Sequence, residues 1–332
     1  MQPTADSTRH ILSALAPIFV PASTVNIDSS TVKPSRLHEI STLKSKITTS
    51  NYKPAYGNEN IKVYYFNARS IRSRLFDLHQ ILYSGLYSVI CISESWLSPN
   101  IVNGLIDDSG WYNIYRRDRP GPNPGGGVCI LVLKGLQSSM IDCARVMPND
   151  VYDNVEIVGC TISMNALSFT ITCVYLAPNL NSEQYVLALT CLQTIYSTQG
   201  EIHITVGDFN LPRINWSTLT GPSDTKCMEL IDLCIRNNLT QLVTESTRMN
   251  NILDLVLCND HLLVVNLCVL EPFCTSDHDS ICFDIFCADK NEKYAVKETN
   301  ESYRDWTKAN WEILTNDIAC VDWVNLFNHS TS

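Results

Sequence analysis

The spacing of apolar and polar positions changes texture twice along the chain. From position 61 the segment IKVYYFN (61–67) is dense in β-branched and aromatic residues and predicts a strand. Leu75, Leu78, Ile81 and Leu82 then recur at helical spacing, and YSVICIS (87–93) predicts a second, buried strand. Further strands are predicted for GVCILVL (127–133), VEIVGCTI (155–162) and LSFTITCVY (167–175). Val186, Leu189, Leu192 and Ile195 predict a helix over 182–198, followed by a strand IHITV (202–206) and a helix over 226–237. LDLVLCN (253–259), LLVVNLCVL (262–270) and SICFDIF (280–286) close the set. Many strands with few helices between them predict two packed sheets flanked by helices, an α/β domain over 59–288. Residues 1–58 are rich in Ser and Thr, are broken by five prolines, and predict a loosely ordered leader. Residues 289–332 turn charged and polar, then place Trp311, Leu314, Ile318 and Val321 at helical spacing, predicting one amphipathic tail helix.

A hydrophobic content of 45% over 332 residues supplies a large core and excludes wholesale disorder. No apolar run approaches the ~18 residues of a membrane-spanning helix. The net charge of −10 argues against a generic basic nucleic-acid coat protein, but not against a metal-dependent nuclease, whose own site must be acidic. Fourteen cysteines invite a disulfide or zinc reading, yet the chain has no C-x-x-C pair. Most cysteines sit inside apolar runs (Cys91, Cys129, Cys160, Cys173, Cys258, Cys282), where a free thiol packs as a small hydrophobe. That favours a reduced, intracellular protein. The apolar stretch 11–20 has the length of a signal-peptide core, but Pro17 interrupts it.

The chemistry-bearing residues gather where strands end, so that polar groups can line a cleft without disturbing the core. Gly207-Asp208-Phe209-Asn210 follows IHITV, with Gly207 read as permitting a sharp exit and Asp208 and Asn210 facing one side of an extended chain. A carboxylate can accept a proton from water while an amide holds that water, although GDFN alone also suits a plain turn. Ser276-Asp277-His278 precedes the last strand and suits either a metal and phosphate site or a capped loop. Glu94 follows YSVICIS and suits either a hard-cation ligand or a surface carboxylate. Asn67 ends the first strand, Tyr175 ends another, and Asp254 opens LDLVL.

Taken in order, these pieces resemble the endonuclease/exonuclease/phosphatase superfamily, in particular the apurinic-type endonuclease domains of non-LTR (LINE-like, Jockey/CR1-type) retrotransposons. The resemblance rests on FNARS (66–70), SESW (93–96), YRRDR (115–119), GGGVCILV (125–132), VYLAPN (174–179), GDFN (207–210), STRMNNILDLV (246–256) and TSDHDSI (275–281). The tail YRDWTKANWEIL (303–314) with VDW (321–323) is similar to the connector that precedes a reverse transcriptase in such polyproteins. The resemblance implies a four-layer α/β sandwich and a Mg²⁺-dependent (or Mn²⁺-dependent) enzyme that nicks one strand of double-stranded DNA. Element RNA and a reverse transcriptase supplied elsewhere would be its partners, the nucleus its site of action, and no membrane is involved. It further implies that Glu94 holds the metal with Asp277 as second carboxylate, that Asp208 activates water, and that Asn210 helps place the water and the phosphate. Tyr175 and Asn67 would contact the scissile phosphate, with His278 against it, oriented by Asp254. One departure is Arg69, which stands where apurinic repair enzymes often carry an Asp near the metal; a single Mg²⁺ with several waters is expected in consequence.

Residues 61–287 hold 13 Lys+Arg against 22 Asp+Glu, a poor balance for a DNA-binding domain. Six of the 13 fall in two loops, however: Arg69, Arg72 and Arg74, then Arg116, Arg117 and Arg119. In the family's fold both loops flank the cleft, and Arg248 is a further DNA-contact candidate. The alternative is that these arginines pair with surface carboxylates such as Asp77 and Asp118. The competing functions are a phosphatase or phospholipase of the same superfamily and an inactive remnant that only binds nucleic acid.

Overall fold

In the computed structural model, residues 60–119, 125–143, 155–165 and 167–287 are described. The expected leader and tail helix lie outside the described residues. Two six-stranded mixed sheets stack face to face. The first is ordered β11-β12-β1-β2-β4-β3 and is built from β1 (Asn60–Asn67), β2 (Val89–Ser93), β3 (Tyr112–Arg117), β4 (Val128–Leu133), β11 (Val264–Leu270) and β12 (Ser280–Phe286). The second is ordered β5-β6-β7-β8-β10-β9 and contains β5 (Gln137–Met140), β6 (Glu156–Met164), β7 (Leu167–Tyr175), β8 (His203–Asp208), β9 (Thr240–Gln241) and β10 (Asp254–Cys258). Each sheet has a parallel pair at its centre, β1 beside β2 and β7 beside β8, with antiparallel neighbours outside.

Period-2 alternation divides each central strand between two cores. Val63 and Tyr65 of β1, Cys91 of β2, Ile171 and Cys173 of β7 and Val206 of β8 point into the space between the sheets. Their neighbours Tyr64, Phe66, Ile90 and Ile92 face outward and pack under α1 (Leu75–Ser84), which contributes Leu78 and Leu82. On the far side, Val174, Leu255 and Leu257 pack under α3 (Ser182–Thr198) and α4 (Thr225–Arg236). Helix, sheet, sheet, helix make the four layers expected from the sequence. Helix α3 starts on a capping box, in which the Asn181 side chain accepts from the Gln184 amide and Gln184 returns the bond. Helix α4 starts on Asp224, which accepts from Cys227 N–H.

Four elements escaped the sequence pattern: β3, β5, β9 and the one-turn α2 (Asn103–Ile106). The three strands are sheet edges, paired on one side, and residues such as QSSM in β5 lack any apolar alternation. Gly207 also differs from expectation. It lies inside β8 opposite Val174 of β7, and an added Cβ would collide with the Val174 backbone. The position needs glycine for close strand approach, not for a sharp exit.

Candidate active site

The same edge of both sheets collects the ends of β1, β2, β7 and β8 and the starts of β10 and β12. Inward-facing positions run on past the apolar core there, so the residue two beyond a core side chain also faces inward. Tyr65 is thus followed by Asn67, Cys91 by Ser93, Cys173 by Tyr175 and Val206 by Asp208, while Asp254 precedes Val256. Asn67, Asp208, Asp254 and His278 are all buried.

These side chains join the two sheets. Asn67 Nδ2 donates to Glu94 Oε1 at 3.1 Å and to Asp208 Oδ2 at 3.0 Å. The amide is kept in this orientation because its Oδ1 accepts the Arg69 N–H at 3.2 Å. Asp208 Oδ2 lies 3.9 Å from His278 Nε2, and His278 Nδ1 is 2.7 Å from Asp254 Oδ2. The other Asp254 oxygen accepts from the Tyr65 hydroxyl at 2.6 Å, and that hydroxyl also lies 2.8 Å from Ser93 Oγ. Thr247 Oγ1 accepts the backbone N–H groups of Leu253 and Asp254, fixing the start of β10. Ser276 Oγ donates to the Asn67 carbonyl and accepts from His278 N–H, so the last loop is tied to the end of β1.

Electrostatics follow from this crowding. Burial pushes the Asp208 carboxyl well up, the charges of Asp254 and Glu94 push the same way, and His278 offsets part of it. Burial pulls His278 down, but its hydrogen bond to Asp254 and the charges of Asp254 and Asp208 outweigh that, leaving the imidazole raised. The Tyr175 hydroxyl is raised by burial and by Glu94, Asp208 and Glu156. Several left-handed, non-glycine residues cluster here: Arg69, Ser70, Glu94, Trp96 and Asn210. Backbone of this kind costs free energy and survives only where the surroundings impose it, as at a working site.

Asp208, Asp254 and His278 bring ligating atoms within 4.8 Å of one another, a group able to hold a metal ion. Both oxygens of Asp254 are already engaged, however, by Tyr65 and by His278. The donor set that fits a hard divalent cation better is Glu94 with Asp208, two carboxylates bridged by one amide, with the Glu94 charge helping to raise the Asp208 carboxyl. Glu94 Oε2 also accepts from Trp96 Nε1 at 3.1 Å.

Of the residues expected from the sequence, Asn67, Glu94, Asp208, Asp254 and His278 form one connected network, and Tyr175 pairs in register with Asp208. Asn210 is adjacent but not as the spacing argued. Its backbone is left-handed rather than extended, its N–H donates to Asp208 Oδ1, and its side-chain amide donates to the Leu176 carbonyl. Asp277 stands apart from Glu94 in its contacts, with its oxygens on Arg69 and Arg248. Among the arginines, Arg72 is exposed and Arg117 half-buried, while Arg74 donates to the Ala68 carbonyl and Thr275. Arg116 is spent on the Ile101 and Ser98 carbonyls and on Asp118, and Arg119 on Glu156, which is the alternative weighed from the sequence.

Sequence reasoning missed Tyr65 and Glu156, and it held Trp96 and Thr247 only as members of the motifs SESW and STRMNNILDLV. Tyr65 lies in an apolar run and its hydroxyl partner is 189 residues away, so only alternation with Asn67 hinted at it. Glu156 binds Arg119 and the Gly127 N–H, and Arg119 sits 5.8 Å over the Tyr175 ring.

This architecture is the endonuclease/exonuclease/phosphatase fold. Residues 169–282 match the family model described as Endonuclease-reverse transcriptase. Among solved structures, the endonuclease domain of TRAS1, a telomere-specific non-LTR retrotransposon, is 17% identical with a TM-score of 0.52, over 68% of this chain and 98% of that one. The AP endonuclease LMAP from Leishmania major is 14% identical with a TM-score of 0.53, over 86% of this chain and 100% of that one. Likeness at this level of identity establishes the fold. No curated protein matches the chain.

Proposed function

We propose that the domain is a divalent-metal-dependent endonuclease that hydrolyses one phosphodiester bond in duplex DNA, leaving 3′-hydroxyl and 5′-phosphate ends. In an element of the Endonuclease-reverse transcriptase type, such a nick would prime reverse transcription. The observation that carries the reading is the unbroken chain Glu94–Asn67–Asp208–His278–Asp254–Tyr65, which draws on both sheets.

Asp208, its carboxyl raised by burial, takes the proton of the attacking water. Asn67 holds that carboxylate and orients it. His278 is oriented by Asp254, whose hydrogen bond and charge favour the imidazolium, so its Nε2–H faces Asp208 and can donate to the charge that develops on the phosphate. Tyr175, level with Asp208 on the neighbouring strand, supplies a neutral hydroxyl to the same phosphate. Glu94, with Asp208 beside it, would hold Mg²⁺ or Mn²⁺, which when bound supplies Lewis-acid stabilisation of phosphate charge.

The test is conversion of supercoiled plasmid to open circles in Mg²⁺ against EDTA, run beside an inositol-phosphate release assay. Metal-dependent nicking with little phosphate release is the expected result. Phosphate release without nicking would assign the site to the phosphatase branch of the fold, and neither activity would leave the binding-only alternative.

A further inference from the structure

Asp277 was expected from the sequence to be a metal ligand, and its surroundings argue otherwise. Its Oδ1 faces Arg69 Nη1 at 3.0 Å, an ion pair rather than an aligned hydrogen bond, and its Oδ2 accepts from Arg248 Nη2 at 2.6 Å. Together the two guanidiniums hold the carboxyl below the usual range against the opposing effect of burial. A carboxylate flanked by two fixed positive charges is a poor place for a divalent cation, because both arginines repel the ion it would attract.

The surplus charge has a different use. One carboxylate and two guanidiniums leave a net positive unit at the rim of an otherwise acidic site. The two side chains are 49% and 35% exposed, so donors remain free toward solvent. Arg248 Nε is enclosed and has no hydrogen-bond partner among the described residues. Both arginines are also held from the backbone. Arg69 is left-handed, and its N–H sits on Asn67 Oδ1. Arg248 closes a tight hairpin by exchanging hydrogen bonds with Asn251 at 3.1 and 3.0 Å. Asp277 is the immediate neighbour of His278, so the pair lies beside the imidazole.

We propose that Asp277 is the anchor of a phosphate clamp, not a metal ligand, and that Arg69 and Arg248 together grip one backbone phosphodiester next to the scissile one. The identity of the ligand as nucleic acid rests on the endonuclease reading; the geometry of the clamp does not. Planar guanidiniums fixed on a common carboxylate present paired donors of the kind that phosphate oxygens accept.

The experiment has a metal arm and a DNA arm. In the metal arm, Mn²⁺ alone is titrated into the folded protein and followed by calorimetry. Asp277→Asn should keep the parent affinity within about twofold, while Glu94→Gln should lose at least about tenfold. In the DNA arm, binding of a short duplex is measured in Ca²⁺ across a salt series. Arg69→Gln with Arg248→Gln should weaken binding about tenfold and reduce the slope of log K against log[salt] by about 0.9, the value for one phosphate. The Lys pair at the same positions keeps the charge, guards against misfolding, and should retain the slope. A tenfold loss of Mn²⁺ affinity in Asp277→Asn overturns the proposal, as does an unchanged slope in the Gln pair or no duplex binding by the parent. Nicking by the parent with an unchanged slope sinks the clamp alone. A reduced slope in a parent that never nicks sinks the endonuclease reading and leaves the clamp standing.

Discussion

Asp208 is asked to be charged in a place that disfavours charge. Burial first, then Asp254 and Glu94, push its carboxyl up, and His278 only partly compensates. The sign of the consequence is fixed by linkage. A carboxyl whose pKa is higher in the folded than in the unfolded chain binds the proton more tightly when folded. The metal-free protein therefore loses stability as pH rises from the unfolded value through the raised one. Two outcomes follow for Asp208→Asn. Nicking should fall about 10²–10⁴-fold from the lost proton transfer. In EDTA at neutral pH the same variant should melt higher than the parent, at about 2–4 °C for each kcal/mol of relieved charge burial in a domain of this size. A variant that nicks at the parent rate would remove Asp208 from the role of base; one that melts lower in EDTA would show that the carboxylate is not strained.

At the scale of elements, the glycines after Arg119 show how a loop positions a carboxylate. Gly126 is left-handed, and a Cβ there would meet the Glu156 carboxylate and the Arg119 guanidinium. Its carbonyl accepts the Trp96 N–H at 2.8 Å, and Trp96 Nε1 in turn holds Glu94. Gly126→Ala should move that chain and loosen Glu94, raising the Mg²⁺ concentration for half-maximal nicking about tenfold while circular dichroism stays native. An unaltered Mg²⁺ requirement would show that Glu94 is held without Trp96. The strand-rich layout was legible because central strands, buried on both faces, must be apolar throughout: LSFTITCVY and SICFDIF coincide with β7 and β12. Edge strands carry no such demand, so YNIYRR and QSSM passed as loop. The strand-end acids and amides were legible through the motif order, whereas Tyr65 and Glu156 were not, since their partners come from distant parts of the chain. Asn210 misled because spacing by two implies a shared face only in extended backbone.

For the whole molecule, the cysteine content that suggested a disulfide or zinc protein resolves into core packing. Thirteen cysteines among the described residues are free, and eleven of them are buried. Burial raises the thiols of Cys129 and Cys160 and pushes Cys234 and Cys282 up to about 12. The two exposed ones, Cys268 and Cys274, are raised as well, the latter to about 12 by burial and by Asp77. Thiolate is the reactive form, so maleimide at neutral pH should label the native domain slowly, at Cys268 and Cys274, and the melting temperature should not respond to reductant. Rapid labelling at Cys91 or Cys173 would mean that the space between the sheets is open.

That space has a directional property which its apolar filling lacks. Hydrophobic contact between two stacked sheets is indifferent to small sideways displacement, because area rather than alignment sets its strength. The hydrogen bonds Tyr65–Asp254 and Asn67–Asp208 each have one partner in either sheet. A slip of about an ångström would stretch both beyond useful length while every ladder within a sheet stayed whole. The active edge is thus a vernier for the alignment of the two halves. On gentle warming, nicking should fade several degrees before the β-sheet signal in far-ultraviolet circular dichroism and recover fully on cooling. Coincident loss of the two signals would show that the halves move only when they unfold.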